Sequence, residues 1–536
     1  MSHWPLDHDC GENGPMTLRA SNGMVTSPHR LASRAGLRIL QAGGTAAEAA
    51  VATAATLAVV YPHMNAVGGD SFWLLGAPGD APVGIDASGR AAAKADLALY
   101  AGLDAVPWRG PLAANTVAGT ISGWASTLEV GGSTLPLAEL LAEAIRLAEE
   151  GFAASVGLSE TVAAKAAELS PCLGFADVFM PGGEPPAVGQ IVRQPALART
   201  LRRLAADGLD GFYHGALAED LAADLAAAGS PISLADLGGH RAETVTPLSI
   251  RIGGARLYNL PPPTQGVASL MILALVDRLA CGEAEGFDHV HSLVEATKQA
   301  FRVRDAHVGD PGAWDAQSAL DDAAELDRLA AAIDPAHAAP WPQPASGGDT
   351  VWFGVVDGLG RSVSAIQSTF FEFGSGLVLP RTGVTWQNRG SSFTLTAGGP
   401  RALRPGAKPF HTLNPAMAVF DDGRTLIYGT MGGEGQPQTQ GAVFSRYARF
   451  GQDLQAAVDA PRWLLGRTWG DAATNLKLED RFAPQVVAQL RAAGHDVELV
   501  APMTSLMGHA GAIVRLPNGA LQGAADPRSD GEAVGY

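Results

Sequence analysis

Gly347 to Thr350 reads GGDT and runs directly into VWFGVVD. A Pro- and Gly-bearing stretch, WPQPASGG, leads in, and a strongly β-forming run leads out. This order puts a threonine at the first position of a strand, at the end of a tightly turning loop. A plain hairpin turn with threonine at its exit looks the same. The threonine adds a second meaning. If the Asp349–Thr350 bond is cut, Thr350 gains a free α-amino group with an unperturbed pKa of roughly 7.7–8.0, close enough to neutrality to take its own hydroxyl proton. One residue then supplies both nucleophile and base.

The bulk of the chain narrows the classes open to it. Its 536 residues, 47% of them hydrophobic, can bury a large core. Length alone would allow about three or four domains. The formal charge is 37 − 54 = −17 with no basic cluster, which speaks against a nucleic-acid partner. Three widely spaced cysteines, Cys10, Cys172 and Cys281, argue against a disulfide framework and a thiolate metal site. The opening MSHWPLDHDCGENGP has neither a basic leader region nor an apolar core, so no secretory signal is expected and the cytoplasm is the default location. Ala49 to Tyr61 is too short for a bilayer and reads as a buried helix, so no membrane partner is expected.

Two Ala/Leu-rich helical patterns flank Gly43 and Gly44 between Arg30 and Val60. GGDSFWLL, from Gly68, turns strand-like. Helices are expected over Pro136 to Glu150, Leu217 to Ala228, Ser269 to Leu279 and His289 to Arg302, with a strand over Leu248 to Ile252. Ala313 to Gly348 reads as a surface helix followed by a mobile linker. Beyond Thr350 the runs VWFGVV, SVSAIQST, GLVLP, GVTWQN, AMAVF and TLIYG read as strands, followed by helices over Gln436 to Tyr447 and Pro484 to Ala493. The C-terminal GALQGAADPRSDGEAVGY reads as strand, turn and tail. An α-rich first part and a β-rich second part around one sheet-based core suit a layered α/β protein with helices outside two sheets.

Several segments together resemble the γ-glutamyltransferase family of N-terminal-nucleophile hydrolases. They include GMVTSPHRLASRAGLRILQAGGTAAEAAVA from Gly23, DGFYHGALAEDLA from Asp210 and YNLPPPTQG from Tyr258. VEATKQAFRVRDAHVGDP follows from Val294, then GDT ending at Thr350, FGSG from Phe373, MGGEGQPQ from Met431 and ADPRSDGEAVGY from Ala525. Their order and spacing run from about Asn22 to Tyr536. The resemblance implies a four-layer αββα sandwich made as an inactive precursor. It implies self-cleavage into a large chain, 1–349, and a small chain, 350–536, that stay together as one compact domain. A dimer of those heterodimers is a further association the family allows. Catalysis would run through an acyl-enzyme on Thr350, with no cofactor.

Carried over residue by residue, Thr350 matches the nucleophile and Ser368 a hydroxyl that assists it and the self-cleavage. Gly432 and Gly433 match the oxyanion-hole glycines; two consecutive N–H groups with no side chain in the way can meet a developing oxyanion. In γ-glutamyl-binding members an arginine holds the substrate α-carboxylate; its position here is Ser88, with Arg90 two residues on. Family contacts to the α-amino group fall on Phe370, Arg389 and Ser392, and a Ser-Ser pair for the carboxylate falls on His411 and Thr412. The site has thus lost an acid where an ammonium would sit and gained the bidentate fork of Arg389. Either Arg90 or Arg389 would hold a substrate carboxylate. The resemblance is nearest to a subgroup that hydrolyses oxamate, a small anionic amide. The Phe393–Lys408 loop looks shorter than the lid of glutathione-processing members, which favours water over an amine acceptor. The alternatives are a γ-glutamyltransferase or glutathione hydrolase, and an unprocessed, non-catalytic member. Asp288, His289 and His291 invite a metal reading, but nothing nearby in the sequence completes a ligand set.

Overall fold

A computed structural model describes residues 16–341, 349–466 and 474–536, and the backbone but not the side chain of Asp349. Cys10 and the linker expected over 342–348 lie outside the described residues. Among the described residues the strands build two seven-stranded sheets, with two small sheets besides. The first runs in the order Glu532–Gly535, Met24–Ser27, Asp349–Val356, Ser362–Phe370, Asp70–Gly76, Val83–Ala87, Glu243–Val245. The second runs Leu18–Ala20, Leu521–Ala525, Ala510–Arg515, Thr425–Thr430, Ala416–Phe420, Ala255–Asn259, Leu248–Ile252. All neighbours in both sheets are antiparallel.

The period-2 alternation of the central strands sorts their side chains into three apolar layers. Val351, Phe353 and Val355 face outward, with Trp73 and Ala365, onto the helix Ala46–Val60. That helix is buried on every side, which its Ala-rich, charge-poor sequence permits, and a Thr45–Glu48 capping box fixes its start. Trp352, Ile366, Phe72 and Leu74 face the other way and meet Leu413, Met417, Ile427 and Ile513 of the second sheet's side. The helices Gly266–Asp277, Phe287–His307 and Gly435–Phe444 cover the far face of the second sheet. The result is the αββα sandwich.

Trp352 sets how closely the sheets approach beside Thr350. A Cβ on Gly429 would lie 2.2 Å from its Cδ1, and one on Gly511 would lie 2.5 Å from its Cζ3. These two glycines are paired across their strands, so together they form the slot that receives the indole. The Trp352 Nε1–H is satisfied by Ser364 Oγ at 3.0 Å.

Three expectations change. GLVLP and GVTWQN are not strands; they fold back on one another through a single Val378–Thr385 bridge. The C-terminal tail is a strand, Glu532–Gly535, that edges the first sheet against Met24–Ser27. The surface helix after Ala313 is two helices, Ala316–Asp321 and Ala323–Ala331. No helix among the described residues is long and apolar enough to cross a membrane.

Candidate active site

Thr350 is fully buried, two residues before Trp352 on the same strand, and its side chain therefore turns into the space between the sheets. A bulge shapes its surroundings. Asp349 pairs with Phe370 and Val351 with Gln367, so two residues, Ser368 and Thr369, stand opposite Thr350 alone. Such an extra residue re-aims a side chain. Here it brings Ser368 Oγ to 3.4 Å from Thr350 Oγ1. Ser368 Oγ also accepts the Phe370 N–H at 2.8 Å. Phe370, where the strand ends, has φ +82°. A bulky residue in the left-handed region is strained and persists only where its surroundings hold it. Gln436 Nε2 also approaches Thr350 Oγ1, at 3.5 Å.

Gln436 belongs to MGGEGQPQ, which connects the second-sheet strand Thr425–Thr430 to the helix Gly435–Phe444. Gly432 and Gly433 form the turn, with φ +121° and +52°. Their carbonyls accept from Gly435 N and Gln436 N, and neither glycine N–H donates to a backbone carbonyl among the described residues. A buried bracket fixes this turn. Gln265 Nε2 donates to Gly433 O at 2.9 Å and to Thr412 O at 2.8 Å. Arg304 donates to Gln265 Oε1 at 2.9 Å and to Glu434 Oε1 at 3.1 Å. Gln265, Arg304 and Gln436 were not singled out in the sequence, although PPPTQG, KQAFRVRD and MGGEGQPQ contain them.

Arg389 is 1% exposed, and neither of its terminal nitrogens makes a hydrogen bond among the described residues. Its guanidinium lies over the Phe370 ring, 3.8 Å from the centroid. Burial lowers it to about 9 and the Asp70 charge opposes that, so it stays cationic at neutral pH. His411 is fully buried with both ring nitrogens unpartnered among the described residues, and edge-on to Phe72. Burial foremost, then Arg389 and Lys408, hold its pKa well below the ordinary value, so the ring is neutral. The Thr412 hydroxyl, also buried, has no partner among the described residues.

Asp70 is the acid that the sequence reading missed. It faces Ser368 across the strand pair, and its Oδ2 lies 3.5 Å from His411 Nε2. Its Oδ1 accepts from Gly89 N, Gly119 N and Gln387 Nε2 at 3.0, 3.1 and 3.1 Å, while Oδ2 accepts nothing among the described residues. The signal was GGDSFWLL itself, since an aspartate opening an otherwise buried strand needs a reason. The cleft therefore holds an acid, Asp70, beside His411.

Not every expected residue arrives here. Arg90 is half-exposed, paired with Glu243 at 2.8 Å and donating to Gly406 O. Ser88 is spent on Asp86. Ser392 Oγ donates to Phe410 O at 3.0 Å. Asp288, His289 and His291 do not converge: His289 is satisfied by Ser445 Oγ and Glu285 N. His291 meets Glu295 and His495 instead, within 4.8 Å. There the His291 and His495 rings bond to each other, and the Lys298 ammonium occupies Glu295.

The family model for gamma-glutamyltranspeptidase matches residues 32–536. The oxamate amidohydrolase proenzyme of Klebsiella pneumoniae is 53% identical over 96% of this chain and 99% of its own length. The glutathione hydrolase-like YwrD proenzyme of Bacillus subtilis is 40% identical over 96% and 98%. Among solved structures, a cephalosporin acylase from Bacillus halodurans superposes with a TM-score of 0.90 at 33% identity, covering 99% of each chain. The chain belongs to the gamma-glutamyltranspeptidase family, as an amidohydrolase of the N-terminal-nucleophile class.

The resemblance expects Gly432 to supply an oxyanion donor, so replacing it with alanine should both strain the turn and displace that N–H. We expect kcat to fall on the order of 10²–10³-fold with KM little changed. Steady-state kinetics on material checked for cleavage by denaturing gel measure this.

Proposed function

We propose that this chain hydrolyses a small anionic amide, with oxamate as the substrate, after cutting itself at Asp349–Thr350. The observation that carries the reading is Arg389: a buried cation without a hydrogen-bonding partner among the described residues, stacked on the residue whose N–H bonds Ser368. Leaving a buried charge unpaired costs several kcal/mol, and a bound carboxylate would remove that cost. The name of the Klebsiella relative points the same way.

In the precursor the Thr350 nitrogen is an amide and cannot act as a base. Attack of Thr350 Oγ1 on the Asp349 carbonyl carbon forms a C–O bond as the C–N bond breaks, the hydroxyl proton passes to the leaving nitrogen, and water opens the resulting ester to the Asp349 carboxylate and the Thr350 hydroxyl. The freed α-amine then takes the Thr350 hydroxyl proton as the oxygen attacks the oxamate amide carbon. Gly432 and Gly433 N–H groups receive the developing oxyanion. As the tetrahedral species collapses, the α-ammonium returns the proton to the leaving nitrogen, and ammonia departs. The α-amine next activates water, which releases oxalate and restores Thr350. Arg389 holds the substrate carboxylate, with His411 and Thr412 beside it. Asp349, Ser368, Phe370 and Thr412 act in this account through cleavage, orientation and contact; Arg90 and Ser392 have other partners and take no part.

A second reading, a γ-glutamyl amide hydrolase or transferase, draws on Asp70: its Oδ2, which accepts nothing among the described residues, could pair with an α-ammonium. Initial rates of the purified, cleaved protein separate the two. Ammonia release from oxamate with little turnover of a γ-glutamyl anilide is the expected result. Efficient anilide turnover with none from oxamate would refute the proposal.

A further inference from the structure

Resting on that reading, the geometry around Asp70 points to a second binding function. We propose that Asp70 takes up a proton when the anionic substrate or product binds and, as a neutral carboxylic acid, donates its Oδ2–H to the bound carboxylate beside Arg389.

Position makes this the site's own group. Asp70 and Ser368 are direct partners in adjacent antiparallel strands, so their side chains stand on one face, roughly 4.5–5.5 Å apart at Cβ. Ser368 Oγ in turn touches Thr350 Oγ1. The carboxyl is also clamped for one orientation. Three donors converge on Oδ1, which must therefore be an acceptor and not the protonated atom. Any proton has to sit on Oδ2, the oxygen that faces the Arg389–His411 cluster.

Charge supplies the driving force. The groups facing Asp70 are Arg389, which is cationic, and His411, which is neutral. Tyr213 also senses its charge, but that hydroxyl is committed to Ala118 O and Ser122 N. Lys408 acts on His411 and is neutralised by Asp86 and Glu243. After cleavage the Thr350 α-amine joins them. With Asp70 ionised, Arg389 and Asp70 cancel and an incoming anion meets no net attraction. With Asp70 neutral, the anion meets a full positive charge and an added donor. Burial already raises the Asp70 carboxyl to about 7, so the proton is available near neutrality. Anion binding favours the protonated form, so affinity is highest below that pH and weakens above it, by up to tenfold per pH unit.

The test uses the mature, cleaved enzyme and oxalate, the product of the proposed reaction, as the probe. Calorimetric titrations at pH 8 in two buffers of different ionisation heat read proton uptake directly, and comparison with a variant assigns it. Uptake approaching one proton per oxalate is expected, falling toward zero at pH 6. Asp70→Asn keeps an oxygen for the three clamping donors and presents a permanent N–H donor where the Oδ2–H would be. Its oxalate affinity should lose the slope attributable to Asp70 and exceed wild type at pH 8.5. Both proteins keep the α-amine, so the difference between them isolates Asp70. Absence of proton uptake in the wild type, or an equal pH slope in both proteins, would overturn the inference while leaving the anionic-substrate reading in place. Loss of oxalate binding at every pH in folded Asp70→Asn would overturn it too. No oxalate binding by either protein would overturn both.

Discussion

Replacing Thr350 with alanine is expected to leave a single 536-residue chain with no measurable amide hydrolysis, a loss on the order of 10⁶ in kcat. The size of the effect follows from the double duty of the residue. In the proposed mechanism its oxygen attacks twice, first its own backbone and then the substrate, and its nitrogen becomes the base only through the first attack. No neighbour can substitute. Ser368 is held by the Phe370 N–H, and no titratable side chain among the described residues is hydrogen-bonded to Thr350 Oγ1. Thr350→Ser should retain cleavage and part of the activity, since hydroxyl and amine both survive. Denaturing gels and ammonia release from oxamate read the two variants side by side. A cut, active Thr350→Ala protein would remove Thr350 from the mechanism.

Arg389→Met is expected to cut oxamate turnover steeply while raising thermal stability, two changes in opposite directions. Removing one partner of a buried charge pair in a complex costs 2–5 kcal/mol or more, about 30- to 5,000-fold in kcat/KM. The free protein carries the reverse cost, because the guanidinium is buried, stacked on Phe370 and without a hydrogen bond among the described residues. Methionine of similar length fills the space without a charge to desolvate. Asp70 would lose the cation that steadies its ionised form, so its carboxyl should move further up. Kinetics and a thermal melt decide the matter. Lower stability together with unchanged kcat/KM would mean that Arg389 is a structural cation.

Much of the fold was legible because its signals are local. The fully apolar helix Ala46–Val60, the capped turn at Gly43–Gly44 and the alternation of VWFGVV each announce themselves within a dozen residues. The errors came where the partner is distant. Glu532–Gly535 looks like a tail until Met24–Ser27, some five hundred residues away in sequence, offers it an edge. GVTWQN has strand composition, but Trp386 is taken by Thr116 O and Leu377, which bends it into a loop. The site divides the same way. Thr350 opens a strand and Gly432 and Gly433 form a tight turn, local features that are readable in place. Arg90 was offered by proximity to a family position, yet Glu243 and Gly406 hold it at the surface. Asp70 was overlooked because an acid in a buried strand declares a need for partners without naming them; Gly89, Gly119, Gln387 and His411 come from four separate segments.

The central claim is that Thr350 becomes an N-terminus and works as one. The most direct measurement is the denatured mass of the purified wild-type protein, with N-terminal sequencing of the smaller species. Two chains are predicted, of 349 and 536 − 349 = 187 residues, the second beginning Thr-Val-Trp-Phe. A single uncut chain that nevertheless turns over amides, or a cut at any other bond, would contradict the account.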